Sequence, residues 1–167
     1  MKDCPFFTSN NFSSFQIRSY EGGYWVSINF NSSFEEAEAE GFTILEEFLD
    51  GQNSLNTTVR RSAPKINHSK RSFATNSTVF TLSFFLPFEF QDPTDLKKPV
   101  PNNKSVYVEY IPPRSVAVIC FGGLQDLQIV QQNVKQLSLL LEQNKIAFEN
   151  TGFIFAGYDP QDRIFDV

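Results

Sequence analysis

At 167 residues the chain is about one domain long, and its 41% hydrophobic content with nineteen phenylalanines suffices for a real core. A formal charge of −5 and a pI near 4.9 leave no basic footprint for nucleic acid. No apolar run approaches the ~18 residues that span a bilayer, and the opening MKDCPFFTSNN lacks the apolar centre of a signal peptide.

In chain order, SFQIRSY (14–20) and YWVSI (24–28) read as strands on either side of an EGG turn. The segment Ser33 to Leu49 reads as a helix. SFEE at 33–36 is a capping box, apolar or small residues recur at 34, 37, 41, 44 and 48, and Gly51 follows as a stop. Phe42, Leu45 and Leu49 add a second stripe beside the first. The apolar arc becomes roughly 160°, wider than a one-faced surface helix needs. TTVRRSAP (57–64) alternates like a strand, yet it carries Arg60 and Arg61 side by side. Strand neighbours point to opposite faces, so one arginine would face whatever the strand packs against. STVFTLSFFL (77–86) is a further strand, and PFEFQDPTDLKKPVPNNK (87–104), rich in proline and charge, reads as a linker. YVEYIPP (107–113) and AVICF (117–121) follow as strands. A helix from about Gln125 to Gln143 carries the stripe Leu127, Val130, Val134, Leu137 and Leu141, and NTGFIFAG (150–157) is the last strand.

The two helical stripes share one spacing and superpose after a shift of 93 residues, Ala37 onto Val130. The flanking strands follow with the same shift. Each half therefore reads strand, strand, helix, strand, strand: half one about 12–86, half two about 105–167, in one domain. The last strand of half two would map to 170–179, so either the quoted chain stops before it or half two is incomplete. The expected class is α+β, a pseudo-twofold antiparallel β-barrel with two flanking helices.

Six N-x-S/T triplets begin at Asn11, Asn31, Asn56, Asn67, Asn76 and Asn103. That is well above what 13 asparagines and 25 serines and threonines give by chance. Such triplets accept N-glycans in secreted proteins, so the expectation is a secreted glycoprotein whose signal has been removed. A Ser/Asn-rich surface is the alternative. In that compartment Cys4 and Cys120 suggest one disulfide, against two unrelated thiols.

The chain resembles the SOUL heme-binding protein family over nearly its whole length. The carrying residues are FQIRSYEGGYWV (15–26), GFTILEEFLDGQN (41–53), SAP (62–64), LSFFLP (82–87), FGG (121–123) and AGYDP (156–160). The resemblance implies a barrel of two pseudo-symmetric halves, tetrapyrrole binding without enzymatic activity, and a heme groove involving the first helix. The early Cys-Pro looks like secreted animal members. The departures are specific. Some members place a histidine, proposed as an iron ligand, where this chain has Ser19. The family's usual M-T-x-P-V is Arg61, Ser62, Ala63, Pro64 and Lys65 here. The segment resembling NEVW that usually follows AGYDP is absent.

On this reading Phe42, Leu45 and Leu49 floor a hydrophobic groove, unless they are buried under other parts of the chain. Arg60 or Arg61 meets a ligand's carboxylates, a contact suited to the guanidinium fork. The alternative is a solvated or salt-bridged pair with Glu46 or Glu47. His68, the only histidine, falls within the triplet at Asn67 and is expected in an exposed loop. Tyr20, Tyr24 and Tyr158 are candidate iron ligands, or else core and rim aromatics. One histidine excludes a His-cluster metal site, and no nucleophile elbow, zincin, P-loop or dinucleotide motif occurs. The expected function is non-enzymatic binding of heme or another tetrapyrrole, a small hydrophobic anionic ligand. The alternative is a protein-interaction module using the apolar face of helix one.

Overall fold

A computed structural model of the protein describes residues 6–72, 77–92, 94, 98–122 and 126–157. Its strands are β1 (Phe6–Asn11), β2 (Gln16–Tyr20), β3 (Gly23–Phe30), β4 (Lys65–Ser72), β5 (Ser77–Phe85), β6 (Val106–Ile111), β7 (Arg114–Val118) and β8 (Gly152–Gly157). The helices are α1 (Phe34–Leu49) and α2 (Leu127–Gln143). All pairings are antiparallel and give two sheets, ordered β1-β2-β7 and β6-β3-β5-β4-β8. The α+β class holds, but the expected closed barrel does not. Among the described residues the sheets are open, because β7 pairs only with β2 and β8 only with β4.

Local chemistry sets both helices. Ser33 and Glu36 make the capping box in both directions, each bond 3.2 Å. At the far end Gly51 takes φ +110°, and the buried Asn53 donates to the carbonyls of Phe48 and Thr57 at 2.9 Å each. That amide satisfies an orphan helix carbonyl and holds the following loop. Asp126 caps α2, accepting from the backbone N–H of Gln128 at 2.6 Å.

Helix α1 lies on the larger sheet. Val26 and Ile28 of β3, Leu82 and Phe84 of β5 and Val106 of β6 meet Leu45, Phe48 and Leu49 in the main core. Gly41 permits the close approach, since a Cβ there would stand 2.8 Å from the Phe30 ring. A second cluster joins Phe34 and Ala37 of α1 to Phe80 of β5 and Val130 of α2.

Strand β4 departs from the sequence reading. TTVRRSAP is not a strand of either sheet; β4 begins at Lys65, after a cis Ala63–Pro64 bond. By register Lys65, Asn67 and Ser69 lie beside Phe84, Leu82 and Phe80, on the face that α1 covers. All three are buried. Lys65 Nζ donates to Glu38 Oε2 at 2.5 Å, and Asn67 Nδ2 donates to Glu38 Oε1 at 3.0 Å. The helix thus meets β4 through a buried ion pair rather than an apolar seam. Removing one partner of such a pair strands the other charge, whereas removing both is far milder. Lys65→Met is expected to cost about 3–5 kcal/mol in urea unfolding. The double change Glu38→Leu with Lys65→Met is expected to recover most of that loss.

Candidate functional site

The expected groove along α1 is not there. Leu45 is fully buried and Leu49 nearly so, both in the main core. They offer a ligand no surface, and they offer a protein partner none either. Both leucines are buried in the one cluster that α1 forms with β3, β5 and β6. Phe42 alone stays half-buried. Its ring stands edge-on to Phe84 at 5.7 Å, and the Lys65 ammonium lies 5.5 Å from its centroid.

Neither Arg60 nor Arg61 points into the core. The irregular backbone buries Val59 and Ala63 and leaves Arg60 and Arg61 exposed. Arg61 pairs with Glu46 of α1, as the salt-bridge reading expected, and Arg60 reaches Glu89 at 3.9 Å. Asn11, Asn31, Asn56 and Asn103 are exposed, while Asn76 lies outside the described residues. Asn67 is buried with its amide nitrogen committed to Glu38, so a glycan there is incompatible with this fold. Cys4 also lies outside the described residues. Cys120 is exposed, and its sulfur accepts from Arg18 Nη2 at 3.5 Å.

An open cleft of about 600 Å³ lies at the start of β3, lined by Glu21, Gly22, Tyr24, Phe85, Phe88, Gln91 and Tyr110. That volume falls within the range of small-molecule sites. The EGG turn builds its floor. A Cβ on Gly22 would stand 2.2 Å from the Tyr110 hydroxyl and 2.8 Å from Pro113 Cδ; one on Gly23 would stand 2.7 Å from the Phe85 ring. Glycine at both positions lets the rings close onto the backbone. Tyr24 and Tyr110 meet edge-on at 5.2 Å, and Phe85 touches Trp25 at 5.2 Å and Phe88 at 5.9 Å. Tyr110 is 53% and Phe88 42% exposed, so apolar ring surface faces the opening. Gln91 braces the walls: it accepts from Tyr24 N–H at 2.6 Å and donates to the Tyr24 and Leu86 carbonyls at 3.0 and 2.7 Å. Lys98 sets its ammonium 4.3 Å from the Tyr24 centroid and brings positive charge to the edge.

A second cleft of about 430 Å³ shares Glu21 and is lined otherwise by Ser19, Tyr20, Pro113, Arg114 and Ser115. Ser19, at the position where the resemblance puts a histidine, shares a 3.1 Å hydrogen bond with the Ser115 hydroxyl. His68 is in neither cleft and is not in a loop. It lies half-buried in β4, on the face turned away from α1, opposite Thr81 and Ile154. Burial, then Arg114 and Lys70, hold its pKa below the ordinary 6.5, with Glu109 opposing. Of the expected site residues that the structure describes, then, only Tyr24 and Tyr20 line clefts; Tyr158 lies outside the described residues. Phe85, Phe88, Gln91, Tyr110 and Arg114 were missed, although the glycine pair before an aromatic and the PFEF run were their signal.

The model of the SOUL heme-binding protein family matches residues 2–166. Human heme-binding protein 2 is 28% identical over 149 residues, covering 87% of this chain and 70% of the relative. The mouse heme-binding protein 2 is 28% identical over 156 residues, with 92% and 74% covered. Heme-binding protein 1 of Xenopus laevis is 27% identical over 153 residues, with 88% and 76% covered.

The packing at the turn predicts that Gly22→Val pushes Tyr110 and Pro113 away and costs about 1–3 kcal/mol by overpacking, read by chemical denaturation. The His68 environment predicts an acid-sensitive stability. With the folded pKa below the unfolded one, the unfolded state binds more protons between the two values. Stability therefore falls as pH drops from about 6.5 through the folded pKa. His68→Gln is expected to flatten that part of the profile of melting temperature against pH.

Proposed function

Since the chain belongs to the SOUL heme-binding protein family, we propose that it is a non-enzymatic binder of heme or another tetrapyrrole, working as a secreted glycoprotein. The observation that carries this reading is the open aromatic cleft of Tyr24, Phe85, Phe88 and Tyr110. A flat conjugated ring system gains most where aromatic faces are partly exposed and held apart, and this cleft has that character. The names of the relatives, heme-binding protein 1 and 2, support the ligand class. The four exposed Asn triplets are consistent with secretion and glycosylation. We also read the two halves as an internal duplication. In its support, β2 pairs with β7 and β3 with β6, so the first strand of each half meets the second strand of the other.

The residues present fit the porphyrin ring better than they fit its iron. Among the described residues the cleft lining offers two tyrosine hydroxyls, no imidazole and no thiol, and Ser19 stands where some family members place a histidine. Among the described residues no group of His, Cys, Asp and Glu is arranged to hold a metal ion. When bound, heme would bring its own redox and ligation chemistry; this chain supplies ring stacking and a charged rim. Hemin and metal-free protoporphyrin IX are therefore expected to bind with affinities within roughly tenfold of each other, each shifting its visible spectrum on titration. Phe88→Ser is expected to weaken both alike. No spectral shift with either compound would overturn the reading.

A further inference from the structure

The two clefts differ in chemistry and share a wall. The first is aromatic. The second carries a guanidinium, two serine hydroxyls and the Tyr20 phenol, and Glu21 borders both. Pro113, packed against Gly22, stands at the turn between them. Resting on the function proposed above, we propose that the polar cleft receives the acidic end of the ligand, with Arg114 as the specificity-determining residue. The ligand is then an amphipathic tetrapyrrole acid, its ring over Tyr24 and Tyr110 and a carboxylate at Arg114.

Three observations carry this. Arg114 lies half-buried on the first residue of β7, directly across the ladder from Tyr20. A partly desolvated guanidinium on a strand makes a stronger and better aimed carboxylate partner than one on an exposed loop, and Arg60 and Arg61 are of the exposed kind. Ser19 and Ser115 share one hydrogen bond between two hydroxyls. One hydroxyl proton is therefore left over to donate to an incoming oxygen. The chain as a whole carries −5, so an anionic ligand needs a local cation, and Glu21 on the shared wall works against it. Lys98 is the competing cation, at the other edge of the aromatic cleft.

The test titrates the full chain with protoporphyrin IX and with its dimethyl ester, which has the same ring and no carboxylates. The free acid is expected to bind the unaltered protein roughly tenfold more tightly than the ester, or better, as a charged hydrogen bond implies. Arg114→Met is expected to erase that preference by weakening the free acid far more than the ester. Lys98→Met is expected to lower the preference only slightly, far less than Arg114→Met does. Glu21→Gln, at an exposed position, is expected to raise it. A preference that survives Arg114→Met, or disappears in Lys98→Met, overturns the proposal but leaves the function standing. Binding of neither porphyrin overturns both. Should Arg114→Met fail to fold, the Glu21→Gln arm decides, because an unchanged preference there overturns the proposal.

Discussion

Glu38 and Lys65 meet out of water, and the rest of the molecule is arranged around that contact. Strand β4 presents lysine, asparagine and serine to a helix that covers phenylalanine and leucine on its other flank. Uncompensated, that row would strip polar groups of solvent with nothing in return. The carboxylate of Glu38 takes both the Lys65 ammonium and the Asn67 amide, leaving Asn67 Oδ1 as the one buried side-chain atom without a partner among the described residues. The same contact ties α1 to β4, while Leu45 and Leu49 are buried in the main core beside it. Its lysine stands at a departure from the family's usual M-T-x-P-V. This chain therefore closes its helix-one face with charge, and the accessible aromatic surface lies instead at the start of β3.

That surface follows from close packing as much as from composition. Two consecutive glycines let Tyr110 and Phe85 approach the β3 backbone more closely than any side chain would permit. The aromatic walls then come from three separate places in the sequence: the start of β3, the exit from β5 and the end of β6. The charged cleft next to it arises where the β2–β3 and β6–β7 connections come together.

Elements with a strong local signature were legible in the sequence. The capping box at Ser33, the stripe of α1, the bulk of α2 and the apolar run of β5 are where the periodicity puts them. What escaped depends on contacts distant in sequence. Strand β4 could not be read because its inward row is polar, and only a partner 27 residues earlier makes that row tolerable. For the same reason His68 seemed to be in a loop, and Asn67 seemed open to a glycan. TTVRRSAP had the alternation of a strand but no ladder to join. Its irregular path buries Val59 while letting both arginine heads reach water and carboxylates. The clefts were invisible for a simpler reason: volume enclosed by three segments distant in sequence has no period to detect.

A single side chain outside the sheets holds the aromatic walls at their spacing. The amide of Gln91 uses its acceptor and both donors on backbone groups of Tyr24 and Leu86, and so ties the chain leaving β5 to the strand next to it. A guest entering such a rigid frame forfeits little conformational entropy, because the host's freedom was surrendered during folding. The shape of this opening therefore depends on an amide that bonds only to the protein's own backbone.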